Sequence, residues 1–198
     1  MKWLCFGASL ALLSSLGIAQ ERQDPSATED GVLVKGALKP GFIGQYWYVG
    51  KEMTKFPNEV LAEKPVLTRI DGVISFNAKE ERGFGALPWK EYFAVEWTGL
   101  VRLPKDADFT FYLKSHGGSK LYIDDKLIVD HDGTHPLKET ASKSVTMMGG
   151  DHDVRIEYFQ NKTALCEFSW KYDNVDKEIV PSTALWHRFD KTVDRESN

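Results

Sequence analysis

The stretch KLYIDDKLIVDHDGTH, residues 120–135, holds four aspartates and two histidines, and the spacing of its apolar residues decides the fold. Leu121 and Ile123 take alternate positions, Asp124-Asp125 interrupts, and Leu127 and Val129 alternate again. Period two puts apolar side chains on one face of a strand. Two such runs separated by two residues read as a β-hairpin. Its central positions need a left-handed backbone, which aspartate tolerates better than most residues. Asp124 and Asp125 are therefore turn residues first, and residues 130–135 form the loop that leaves the second strand.

The same period recurs on both sides. FIGQYWYVG is short, aromatic and bounded by glycine, and YFAVEWTGLVRLP, DFTFYLKS, KSVTMM, DVRIEYF and ALCEFSWKY follow it. In DFTFYLKS, Phe109, Phe111 and Leu113 alternate with Thr110, Tyr112 and Lys114; in HDVRIEYF, Val154, Ile156 and Tyr158 alternate with Arg155 and Glu157. Aromatic and β-branched enrichment with frequent turn signals predicts an all-β chain, an antiparallel β-sandwich in a single domain. Only KEMTKFPNEVLAEKP offers a place for a helical turn.

The chain has 198 residues and a formal net charge of −4. Its first residues, MKWLCFGASLALLSSLGIAQ, combine Lys2, an apolar run and small residues at Gly17 and Ala19. That is the pattern of a secretory signal peptide over residues 1–19, and the run is short of the ~20 apolar residues a membrane span needs. Residues 20–36 and 187–198 are polar and aperiodic, which predicts a flexible leader and a polar tail around a domain at 37–186. The expected product is secreted, periplasmic or on the cell surface, with no transmembrane segment. Scattered Lys and Arg on a mildly acidic chain argue against nucleic acid as a partner. Removal of Cys5 with the signal peptide would leave Cys166, so no internal disulfide is expected; Cys166 shares a strand face with Phe168, Trp170 and Tyr172 and is expected to be buried and inert.

The order of these segments resembles the PA-fourteen (protective-antigen-type) domain, known from bacterial toxins, β-glucosidase inserts and yeast adhesins. The resemblance covers about residues 37–186. It is carried by WTG, DFTFYLKS, GSKLYIDDKL and the D-x-x-G of DHDG. It implies a two-sheet sandwich and, in many members, glycan binding. In sugar-binding adhesins of the family a pair of aspartates before the LYID strand ligates calcium. Here that segment reads Ser115, His116, Gly117, Gly118, Ser119, so both carboxylates are absent. A hard cation that wants six to eight oxygens is weakened by that loss. The second departure is Asp125, where the family usually has glycine; it is expected to cost a little stability and says nothing about ligands.

Several chemistries compete for the loop. Asp130 and Asp132, with the carbonyl of Gly133, are the candidate metal ligands, and calcium is the candidate cation. The EF-hand pattern fails beyond them, since His135 and Ala141 stand where it needs glycine and glutamate. His131 and His135, with His116 or His152, would instead suit zinc. DHD could serve acid–base chemistry, and aspartates in such loops also simply bond to backbone amides. No nucleophile elbow, zincin motif or phosphate loop is present in the sequence, so the protein is expected not to be an enzyme. Trp89, Tyr48 and Trp186 are the aromatics that strand alternation leaves free to stack on a sugar. Asn161-Lys162-Thr163 fits the N-glycosylation pattern. The expectation is an exported, non-enzymatic carbohydrate-binding module. It would recognise a glycan or polysaccharide through His116, Gly117, Asp130, Asp132, His135 and Trp89. The alternative is a protein-interaction or structural module of an extracellular assembly, with a protein partner.

Overall fold

The alternating segments become fourteen strands in the computed structural model, which describes residues 36–77, 84 and 87–194. They are β1 (Leu38–Pro40), β2 (Phe42–Tyr48), β3 (Leu67–Asp71), β4 (Ser75–Asn77), β5 (Phe93–Leu103), β6 (Ala107–His116), β7 (Ser119–Ile123), β8 (Lys126–His131), β9 (Lys138–Ala141), β10 (Val145–Met147), β11 (Gly150–Gln160), β12 (Leu165–Tyr172), β13 (Val175–Ile179) and β14 (Leu185–Arg188). The expected helical segment yields one 3-10 turn, Asn58–Ala62, and a single α-helical turn, α1 (Lys191–Asp194), follows β14. The expected signal peptide and nearly all of the leader lie outside the described residues, as does the end of the tail.

All pairings are antiparallel and build two sheets. The first carries the order β1-β14-β5-β11-β7-β8, with β2 and β3 also on the β14 side of β5; the second is built on β6 and β12, flanked by β9, β10, β4 and β13. β5 and β11 pair over their whole length, from Gly150 opposite Leu103 to Gln160 opposite Phe93. β5 changes partner on its other side. It bonds β2 up to Thr98, opposite Ile43, and β14 from Leu100, opposite Trp186. Gly99 lies at that seam because a Cβ there would come within 2.4 Å of the Phe42 ring and 2.5 Å of the Trp186 carbonyl.

Between the sheets, Trp97, Tyr158, Phe109, Phe111, Phe168 and Leu121 are fully buried, as alternation predicts for residues facing a sandwich core. Cys166 is buried with them, and burial pushes its thiol well above the ordinary range, which makes it the inert thiol expected. The 124–125 turn also forms as expected, with φ of 49° and 61° at Asp124 and Asp125. One expectation shifts. A register irregularity after Leu121 sets Leu127 opposite Tyr122, so Leu127 is 47% exposed while Val129 is buried. A single inserted residue moves the following side chains to the other face, which simple alternation cannot anticipate.

The sandwich also runs past the expected boundary at 186. β14 continues to Arg188, and His187 is 2% exposed, its Nδ1 2.9 Å from the Gly41 carbonyl and its Nε2 3.3 Å from Asp194. Strand pairing with β1, not apolarity, buries this polar segment.

One carboxylate is locked inside the first sheet's core face. Asp71 accepts hydrogen bonds from Tyr46 Oη (2.5 Å) and Trp97 Nε1 (2.8 Å) on Oδ2, and from Arg69 Nε on Oδ1 (2.8 Å). Arg69 also donates to Tyr46 Oη (2.9 Å) and stacks over the Tyr46 ring. Burial raises the Asp71 carboxyl above its usual range, against the pull of Arg69 and the two donors. Gly44 makes room, since a Cβ there would stand 2.5 Å from Asp71 Oδ2.

Candidate functional site at the loop end of the sandwich

The antiparallel register brings the ends of β2, β6, β8 and β11 and the starts of β5, β7 and β12 to one end of the sandwich. Of the expected site residues, His116, Gly117, Asp130, Asp132, His135 and Trp89 belong to this end. Residues 49–62 fold across it, packing Met53 and Phe56 on Ala94 and Phe159.

Asp132 is turned inward. Its Oδ1 accepts from the backbone amides of Phe56 (3.0 Å) and Gly133 (2.9 Å), and its Oδ2 lies 2.9 Å from Lys120 Nζ. Asp130 stays exposed and accepts from the Asp132 amide at 3.2 Å. The two expected metal carboxylates therefore face different ways, and the ammonium of Lys120 stands where a cation would sit beside Asp132. Among the described residues no three His, Cys, Asp or Glu side chains converge as a metal site requires.

The histidines are committed elsewhere. His131 and His135 stack with ring centroids 3.9 Å apart. His135 reaches the carbonyls of His131 (3.1 Å) and Pro136 (2.8 Å). His131 Nε2 faces the Lys138 carbonyl at 3.3 Å, and its Nδ1 lies 2.7 Å from Thr140 Oγ1, contacts that a neutral ring protonated on Nε2 satisfies. His116 ends β6 and offers its carbonyl to Tyr158 Oη (3.2 Å). His152 lies at the opposite end, 2.7 Å from Asp124. Gly117 sits at φ 87° with its amide on the His135 carbonyl, and a Cβ there would stand 2.3 Å from the Phe159 carbonyl. Asn161, the expected glycosylation site, clamps Met53 instead, donating to its carbonyl (2.8 Å) and accepting from its amide (2.9 Å).

Burial, and then the stacked ring of His135, hold the His131 pKa below the usual imidazole value. A folded pKa below the unfolded one, about 6.5, gives stabilisation that is complete above the unfolded value and lost as pH falls through the folded one. The thermal midpoint of the wild type should therefore drop more steeply from pH 7 to pH 5 than that of His131→Leu. Parallel profiles would show that His131 takes a proton without cost to the fold.

What remains open at this end is aromatic. Tyr48 is 54% exposed, and its ring is 5.6 Å from that of the half-buried Trp89. Two buried polar atoms beside this pair, Trp89 Nε1 and Gln160 Oε1, lack a hydrogen-bond partner among the described residues, while Gln160 Nε2 donates to the Lys90 carbonyl at 2.7 Å. Trp89 and Tyr48 were legible in the sequence as candidates. Lys120 and Gln160 were not, because each reads as an ordinary residue of an alternating strand.

The model of the PA14 domain matches residues 44–184. The chain belongs to the PA14 domain family. A curated relative, the anti-sigma-I factor RsgI3 of Acetivibrio thermocellus, is 26% identical over 157 residues, covering 77% of this chain; the chain spans only 22% of that relative's length. Among solved structures, an anti-sigma factor domain-containing protein from Clostridium clariflavum is similar at 22% identity and a TM-score of 0.58, covering 75% of this chain and 48% of that one. The PA14 sugar-binding domain from an RTX adhesin is similar at 16% identity and a TM-score of 0.63, covering 75% of this chain and 98% of that domain. At these identities the two solved structures share the PA14 sandwich with this chain, and nothing finer follows from them.

Proposed function

We propose that the protein is an exported, non-enzymatic carbohydrate-binding module whose loop end engages a glycan without a metal ion. The carrying observation is the exposed Tyr48 ring set against Trp89, at the end of the sandwich where the connections gather. Sugar rings present apolar C–H faces that such amphipathic rings cover at little entropic cost. The engagement of Asp132 by Lys120 and two amides supports the absence of a metal from the interaction. The fold shared with a sugar-binding PA14 domain supports the ligand class.

Binding on a glycan array should be equal with calcium and with a chelator, and Tyr48→Ala should weaken it about tenfold, the equivalent of roughly 1.4 kcal/mol. Loss of binding in chelator would return the assignment to a metal at Asp130 and Asp132. The similarity to a segment of an anti-sigma factor favours a second reading, a protein-interaction module of a larger assembly. That reading prevails if folded protein binds no glycan and retains a stable protein partner after Tyr48→Ala.

A further inference from the structure

Away from the loop end, the outer face of the first sheet holds a cleft of about 360 Å³ over the seam where β5 exchanges β2 for β14. That is near the lower end of the roughly 300–1,000 Å³ typical of small-molecule sites. Ile43 gives it an apolar lining, and Thr98, Tyr122, Asp125, Asp153, Arg155 and Arg188 give it polar groups.

The charges of the cleft cancel, two arginines against two aspartates. Arg188 is paired with Asp153 at 2.7 Å. Arg155 is held over the Tyr122 ring, 3.7 Å from its centroid, and pairs with Glu157. An anionic ligand would have to break these pairs and face the carboxylate of Asp125, so the cleft disfavours one. Three further groups have no hydrogen-bond or ion-pair partner among the described residues: the Thr98 hydroxyl, the Tyr122 hydroxyl and the Asp125 carboxylate. Asp125 holds a φ of 61° that glycine would adopt without strain, and its side chain contributes no bond that offsets this. Its neighbour Asp124 differs, bonding both His152 and the Asp153 amide.

Two hydroxyls that both donate and accept, a carboxylate that accepts, and the apolar side chain of Ile43 suit a ligand whose hydroxyls both donate and accept around apolar C–H faces. We infer that this cleft is a second binding site, for an uncharged saccharide unit. The inference rests on the carbohydrate reading but places the contact on the sheet face, remote from Tyr48 and Trp89.

The variant Asp125→Gly, Thr98→Val tests it with little risk to the fold, since glycine relieves the turn and valine keeps the β-branched shape of a strand residue. Wild type, this variant and Tyr48→Ala are compared on one array of neutral and uronate-bearing oligosaccharides, with thermal midpoints as the check on folding. Binding of neutral glycans should fall roughly tenfold or more in the double variant, as two ligand hydrogen bonds are lost. Unchanged binding in the double variant, with loss in Tyr48→Ala, overturns the cleft and leaves the loop-end reading standing. Hits confined to uronate-bearing glycans overturn the uncharged class. No binding by the wild type overturns both.

Discussion

Asp71→Ala should lower the stability of the protein by about 3–5 kcal/mol, the cost of leaving two buried donors and the half-buried guanidinium of Arg69 without their acceptor. The substitution strips the acceptor from Tyr46 Oη, Trp97 Nε1 and Arg69 Nε together. Among the described residues Arg69 then keeps hydrogen bonds only to the Tyr46 hydroxyl and the Phe84 carbonyl at 3.2 Å, neither of which carries charge. For a domain of this size the thermal midpoint should fall by roughly 10 °C, at about 2–4 °C per kcal/mol. Asp71→Asn, which retains one carbonyl oxygen, should lose less. A midpoint within a degree or two of wild type for Asp71→Ala would mean that water or a neighbouring group replaces the carboxylate.

Lys120→Met is the second large effect, about 3–5 kcal/mol by the same reasoning. On the outer face of the first sheet, Lys120 stands opposite Asp130 on one side and Glu157 on the other, and Glu157 stands opposite Glu96. Like charges directly across a sheet are destabilising. Here Lys120 Nζ lies 3.5 Å from Glu157 Oε2 and 2.9 Å from Asp132, and Arg155 reaches both glutamates. Glu157 is 3% exposed, so water cannot take over from the ammonium. Burial already pushes the Glu96 carboxyl upward against the pull of Arg155. Adding Glu157→Gln to Lys120→Met should restore part of the loss. Lys114→Met, which removes the more exposed pair with Glu167, should cost no more than about 1 kcal/mol. Equal midpoints for Lys120→Met and Lys114→Met would show that the inner cation contributes nothing special.

The strands were legible because sandwich packing writes period two directly into the sequence, and the hairpin was legible because only a few residues accept two successive left-handed positions. The candidate site was harder to read. DHD and the two histidines look like ligands, yet Asp132 is held by Lys120, twelve residues away in sequence and on another strand. Only the pairing of β7 with β8 and β11 shows that these charges meet. Asp71 was hidden for a similar reason, since RIDG reads as a strand end and its three donors come from three strands. His187 was assigned to a polar tail because polarity suggests exposure, whereas pairing with β1 buries it. Asp125 reads in the sequence as a small cost to the turn; that it lines the sheet-face cleft depends on residues from other strands, which the hairpin pattern does not show.

The pairing of β1 with β14 sets Leu38 beside Arg188, so the chain enters and leaves the sandwich at neighbouring points. Antiparallel hydrogen bonds run perpendicular to the strands. Tension applied through the two ends therefore opens this short ladder one rung at a time, from Leu38 with Arg188 toward Pro40 with Trp186, instead of straining every rung at once. Under load the domain peels like a zip from this corner, and the first strand to come free borders the seam beneath the sheet-face cleft.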